Sequence, residues 1–118
     1  SYSNTGDLIL IGKSKRDMAL AFNRMQELGG GSVLAHEGEI IFELPLEIKG
    51  VMTDASMERL IEQEKEMKTI LKDFGYAHSD PVYTLLFLSS THLPYIRITP
   101  VGIMDVLKKD ILFPAIMR

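Results

Sequence analysis

The sequence contains no cysteine. That absence removes a disulfide framework, a thiol nucleophile and any cysteine-based zinc site together, and it suits a reducing compartment. An excess of one charge is also lacking. The net charge is −3, with no clustered lysine and arginine face to track a phosphate backbone, so no nucleic-acid partner is expected. Long apolar runs are missing too. The longest nearly uncharged stretch, 81–95, is broken by serine, threonine and histidine and is too short and polar to span a bilayer, so no membrane partner is expected. No basic region followed by an apolar run opens the chain, which leaves no secretory signal to read and makes a cytoplasmic location the expectation. Repeats, low-complexity tracts and linkers are absent as well.

What remains is ordinary for a soluble globular protein: 118 residues, 46% hydrophobic and 25% charged. A chain of this size suits one domain with one core, and can fold without disulfides or metal. Asp7 to Gly12 reads as a buried strand, because Leu8-Ile9-Leu10-Ile11 is a continuous apolar run ended by glycine. Ser14 then opens a helix, accepting from the backbone at Asp17, whose charge suits the helix N-terminus. Met18, Ala21, Phe22, Met25 and Leu28 recur at spacings of three and four on one face. Gly29-Gly30-Gly31 closes the helix.

Residues 32–44 read as a hairpin, Ser32–Ala35 and Glu39–Leu44 around a turn in which Gly38 takes positive φ, with Pro45 as the stop. Asp54 or Ser56 caps a second long helix running to Phe74, with Met57, Leu60, Ile61, Met67, Leu71 and Phe74 as its apolar stripe and Gly75 as its cap. Val82 to Leu88 fits a buried strand or a short buried helix equally well. Tyr95–Thr99 and Ile103–Val106 read as a second hairpin, with Ile96 and Ile98 on the face opposite Arg97. Ile111-Leu112-Phe113 is a last short apolar segment. The expected class is α/β or α+β: a single domain, 1–118, with a mixed β-sheet, hairpins and two long amphipathic helices packed on it.

Chemistry is hard to place on this framework. None of His36, His78 and His92 stands four residues from another on a helix, the spacing that puts two imidazoles on one metal. His78-Ser79-Asp80 offers a carboxylate to orient an imidazole, but each histidine is more simply a solvated or structural residue. The glycine triplet follows a helix and opens a strand, the reverse of a phosphate cradle, so it reads as a cap. Glu37, Glu39, Glu43 and Glu47 read as the solvent face of a half-buried sheet more simply than as paired catalytic carboxylates. Ser89-Ser90-Thr91 has no partner base to make a nucleophile. No catalytic and no metal-ligating residue is therefore expected. The segment from Leu44 to Asp54 stands apart. It is irregular yet carries Leu46, Ile48, Val51 and Met52, and so must pack on the domain's own core or on a partner.

Four blocks together resemble the C-terminal domain of adenine deaminases. The first is Met18-Ala19-Leu20-Ala21 with Asn23-Arg24 and Glu27-Leu28-Gly29-Gly30-Gly31. The second is Glu43-Leu44-Pro45-Leu46 with Gly50-Val51-Met52. Asp80-Pro81, Thr84-Leu85 and Phe87-Leu88 make the third. Thr99, Gly102 and Asp105-Val106 make the last. The resemblance covers 7–106. It implies a parent enzyme of the amidohydrolase type, which hydrolyses adenine to hypoxanthine and ammonia with a metal-bound hydroxide as nucleophile.

In that family the metal, a divalent manganese, iron or zinc, sits in a separate barrel domain that this chain lacks. The chain alone is then expected to hold no cofactor and to hydrolyse nothing, and its principal partner is the upstream barrel of the same polypeptide. A start at Ser1 instead of Met fits a processed or trimmed piece. Family members carry a His-Asp-Ser-His-Asn stretch where this chain has Ser3-Asn4-Thr5-Gly6-Asp7. That departure implies a divergent branch, for which a related cyclic amidine or amide, or loss of activity, is the alternative to adenine. By the same resemblance Leu46, Gly50, Val51, Met52, Thr53 and Asp54 form the substrate-side or interdomain loop. The competing readings are a stand-alone small-molecule-binding module and a homo-oligomerisation domain.

Overall fold

Three helices and five strands make up the computed structural model of the chain, which describes residues 8–90 and 93–116. Inter-residue contacts gather them into two units, one of residues 9–78 and the other of 79–116 with Leu8.

In the first unit α1 spans Lys15–Leu28. The Ser14 hydroxyl accepts from the Asp17 N–H at 3.2 Å, and Gly29 ends the helix at φ 76° with its N–H on the Met25 carbonyl. Both ends are as the sequence specifies. The strands β1, Gly31–His36, and β2, Glu39–Pro45, form an antiparallel hairpin. Its turn places both Glu37 (φ 52°) and Gly38 (φ 83°) in the left-handed region. This is the twist-matched geometry that tight hairpins prefer. The Asp17 carboxylate accepts the Gly38 N–H at 2.9 Å, tying the first turn of α1 to the hairpin tip.

The helix α2, Met57–Asp73, is capped by Ser56, whose hydroxyl accepts from Arg59 N–H. At its other end the cap is Phe74, with Gly75 one residue beyond at φ 86°. Gly75 N–H reaches Lys72 O and Tyr76 N–H reaches Leu71 O, the paired bonds of a Schellman closure. Among the described residues of this unit the buried large apolar side chains are Phe42 of β2 and Met67 of α2.

The second unit opens with α3, Pro81–Ser89, capped by Asp80. The ambiguous apolar run is thus helical, which fits proline in the first helical turn and a carboxylate accepting from Tyr83 N–H at 3.0 Å. Three antiparallel strands follow in spatial order: β3 (Ile96–Thr99), β4 (Gly102–Asp105) and β5 (Asp110–Pro114).

The α+β class stands, but in an arrangement the sequence does not specify. The strands form two separate antiparallel sheets, and among the described residues no parallel pair occurs. The anticipated strand at 7–12 is not one: residues 8–12 have no ladder partner, and Leu10 and Ile11 are exposed. A continuous apolar run marks a segment that seeks burial, but a strand also needs a neighbour to bond with.

Candidate functional site

The apolar loop after β2 folds into a small clasp of its own. Lys49 (φ 54°) and Gly50 (φ 73°) turn the chain. Val51 and Met52 N–H groups reach back to Ile48 O at 3.2 Å each, while Ile48 N–H donates to Met52 O at 2.8 Å. The clasp is fixed to the end of α1, where Leu46 N–H donates to Gly30 O at 3.1 Å. Thr53 closes it, its hydroxyl accepting from Ala55 N–H at 3.1 Å.

The glycine triplet makes this approach feasible. Gly29 supplies the helix cap, with open space around its Cα. A Cβ on Gly30 would fall on Gly50 Cα, and one on Gly31 would fall on Leu44 O. The sequence reading of the triplet as a cap accounts for Gly29 alone. A cap needs one glycine, so the surplus two were the available signal that another backbone passes close by.

Of the anticipated loop residues, Leu46, Gly50, Val51 and Thr53 are half-buried and Asp54 is exposed. Met52 is 51% exposed and stands beside Ile48 at 41%. The loop therefore buries one side against its own unit and presents Ile48 and Met52 outward. Beside it, Arg24 of α1 forms a two-pronged hydrogen bond to the Glu43 carboxylate, with Nη2 to Oε2 at 3.0 Å and Nε to Oε1 as the second prong. Its remaining nitrogen reaches Glu27 at 2.8 Å. The bond from Arg24 holds the Glu43 carboxyl below its ordinary range. Glu43 is thus not part of a plain solvent face: β2 turns it toward α1, and the charge pair joins helix to hairpin.

A second concave feature of the same unit is an apolar groove of about 780 Å³ lined by 9–14, α1, β1 and the end of α2. His36 is among its lining residues, edge-on to Phe74 with ring centroids 4.7 Å apart.

The other polar candidates have structural duties. Asp80 caps α3, His78 packs edge-on against Tyr76, and the buried Ser90 hydroxyl donates to Leu86 O at 3.0 Å. Ser3 to Asp7, Thr91 and His92 lie outside the described residues. Among the described residues no three histidine, aspartate or glutamate side chains converge as a metal ion requires. Among the same residues no helix is long and apolar enough to cross a membrane.

Hairpins, capped helices and an apolar clasp that leaves Ile48 and Met52 exposed define a small α+β fold. The adenine deaminase C-terminal domain model matches residues 1–110, and the chain belongs to that family. Two relatives are 55% identical over 118 residues: the Bacillus subtilis protein named "Putative adenine deaminase YerA" and a protein of the same description from Halalkalibacterium halodurans. An adenine deaminase of Kosmotoga olearia is 36% identical over 104 residues. The match takes in all of this chain but 20% of each of the first two relatives, and 88% of this chain but 18% of the third.

Proposed function

We propose that this domain completes an adenine deaminase-like hydrolase whose reaction, adenine and water to hypoxanthine and ammonia, takes place in an upstream metal-holding domain. The observation that carries this reading is the share of the match: whole in this chain, one-fifth in the relatives that bear the deaminase name. The domain's own contribution is a contact surface, with the clasp 46–54 seated against the upstream part through Ile48 and Met52. Its exposed apolar tip on a rigidly tied backbone supports that role, because a preformed loop loses little conformational freedom on docking.

The test is ammonia release from adenine by the full-length protein, and by Val51→Ser and Met52→Ser variants of it. Removing the Met52 side chain from a buried contact should weaken docking by about 1–3 kcal/mol and lower activity with it. Unchanged activity together with an unchanged Tm would remove the clasp from the contact. The 118-residue chain alone should release no ammonia.

A second reading, a free-standing small-molecule site, has one observation in its favour, the apolar groove beside His36. Saturable binding of an apolar dye that Leu34→Trp abolishes would support it.

A further inference from the structure

One face of the second unit's sheet carries a row of apolar side chains that the described residues of the unit leave partly uncovered. Register sets Ile98 opposite Ile103 and Ile103 opposite Phe113, so the three form a row across the strands, because directly paired residues share a face. Ile96 lies two residues from Ile98 and shares that face. These side chains are 61% (Ile96), 49% (Ile98), 36% (Ile103) and 65% (Phe113) exposed. The opposite face holds Arg97, half-buried, whose guanidinium donates to Phe87 O at 3.0 Å and Leu93 O at 3.3 Å. The sheet therefore turns Arg97 toward α3, with Met104 and Ile111 paired beside it on that face, and presents Ile96, Ile98, Ile103 and Phe113 on the other, where burial would be favourable.

We propose that the row Ile98–Ile103–Phe113, with Ile96 beside it, is a docking face for the upstream part of the same polypeptide. The inference rests on the reading of this chain as a domain of a longer hydrolase, and adds a second contact surface to the clasp. Three observations select the occupant. Among the described residues no large apolar side chain of the second unit is buried, so those residues supply too small a core to sustain the unit alone. Exposed apolar side chains of the same unit also stand on an element other than this sheet, Val82 and Phe87 on α3. A second copy meeting the chain across a two-fold axis covers one patch per chain; covering several asks for a partner larger than the chain. The relatives carry such a partner, since four-fifths of the length of the first two lies outside the match.

The experiment is hydroxyl-radical footprinting of the full-length protein, native against denatured, over a dilution series. An aromatic anchor at the centre of a dry interface should be oxidised about five-fold or more slowly in the native state, and that protection of Phe113 and Ile98 should not change on dilution. Protection below about two-fold, as solvent-facing side chains give, overturns the proposal. Protection that fades on dilution assigns the face to a second copy and overturns it as well. So does equal protection in the 118-residue chain alone. Met52 in the same digest reports the clasp: Met52 protected with Phe113 reactive leaves the docked-domain reading standing and removes this face from it. Ammonia release is read separately, so loss of the deaminase reading and loss of the docking face cannot be confused.

Discussion

At the scale of single residues, two neighbouring glycines do different work. Gly29 takes φ 76° with nothing near an added Cβ, whereas Gly30 takes φ 146° against the Gly50 backbone. Gly29→Ala should cost about 1 kcal/mol, the ordinary charge for alanine at a left-handed cap. Gly30→Ala adds a backbone collision to the strain and should cost about 3 kcal/mol or more, read as a larger drop in denaturation midpoint. Equal costs would mean the clasp does not rest on Gly30.

Glu43 gives a prediction of the pH dependence. Its folded carboxyl titrates below its ordinary value because Arg24 hydrogen-bonds the ionised form. The stability it contributes is therefore present in full above about pH 4.5, where the unfolded carboxyl is also ionised, and is lost as pH falls through the lower folded value. Glu43→Gln should lower Tm at about pH 7, and the gap from the parent should narrow as pH falls below about 4.5. A constant gap in Tm across that range would show that the charge is not what joins α1 to β2. The sequence announced Glu43 as acidic and alternating, but its partner lies nineteen residues away on another element, beyond what periodicity can pair.

At the scale of elements, helix ends were the most legible features. Ser14, and Ser56 as one of two candidates with Asp54, each stand before a run of helical residues with a side-chain acceptor in reach, and such local chemistry is written in adjacent letters. The cap at Asp80 was not legible, because the run after it fits a strand as well as a helix. Ser14→Ala should cost about 1 kcal/mol in chemical denaturation; a change under a few tenths would mean that the bond from Asp17 N–H to Ser14, already long at 3.2 Å, contributes little. The first hairpin was legible for the same reason. The segment 8–12 was not: its apolar run signals burial without naming the neighbour that supplies it. The face of β3 shows the same limit. Alternation separates Ile96 and Ile98 from Arg97, but only the contact of Arg97 with α3 decides which side is inward.

At the scale of the molecule, Phe42 and Met67 stand as the buried large apolar side chains among the described residues. A chain with 46% hydrophobic composition and so small an interior should gain from being joined to more protein. Differential scanning calorimetry should give the 118-residue chain a broad transition, several degrees below that of the same residues within the full-length protein, and the isolated chain should bind an apolar dye such as ANS strongly. A sharp transition at the same temperature in both contexts would show that the domain is self-sufficient. The candidate clasp was legible as an apolar irregular loop with a family match, but its outward pair is Ile48 with Met52, and Ile48 became distinguishable only once the turn at Lys49-Gly50 was built.

The strand β5 has a consequence for handling the isolated domain. It is the outer strand of its sheet, exposed along its whole length from Asp110 to Pro114, and such edges recruit strands from other chains into growing aggregates. Pro114 has no N–H to offer and Asp110 carries a charge, so only Ile111, Leu112 and Phe113 remain as a template. Two gatekeepers around three residues leave too short a stretch for the six- or seven-residue segments that make persistent fibrils. Any aggregate of the 118-residue chain should therefore be amorphous and redissolvable, and Asp110→Val with Pro114→Val should convert it into one that binds thioflavin T.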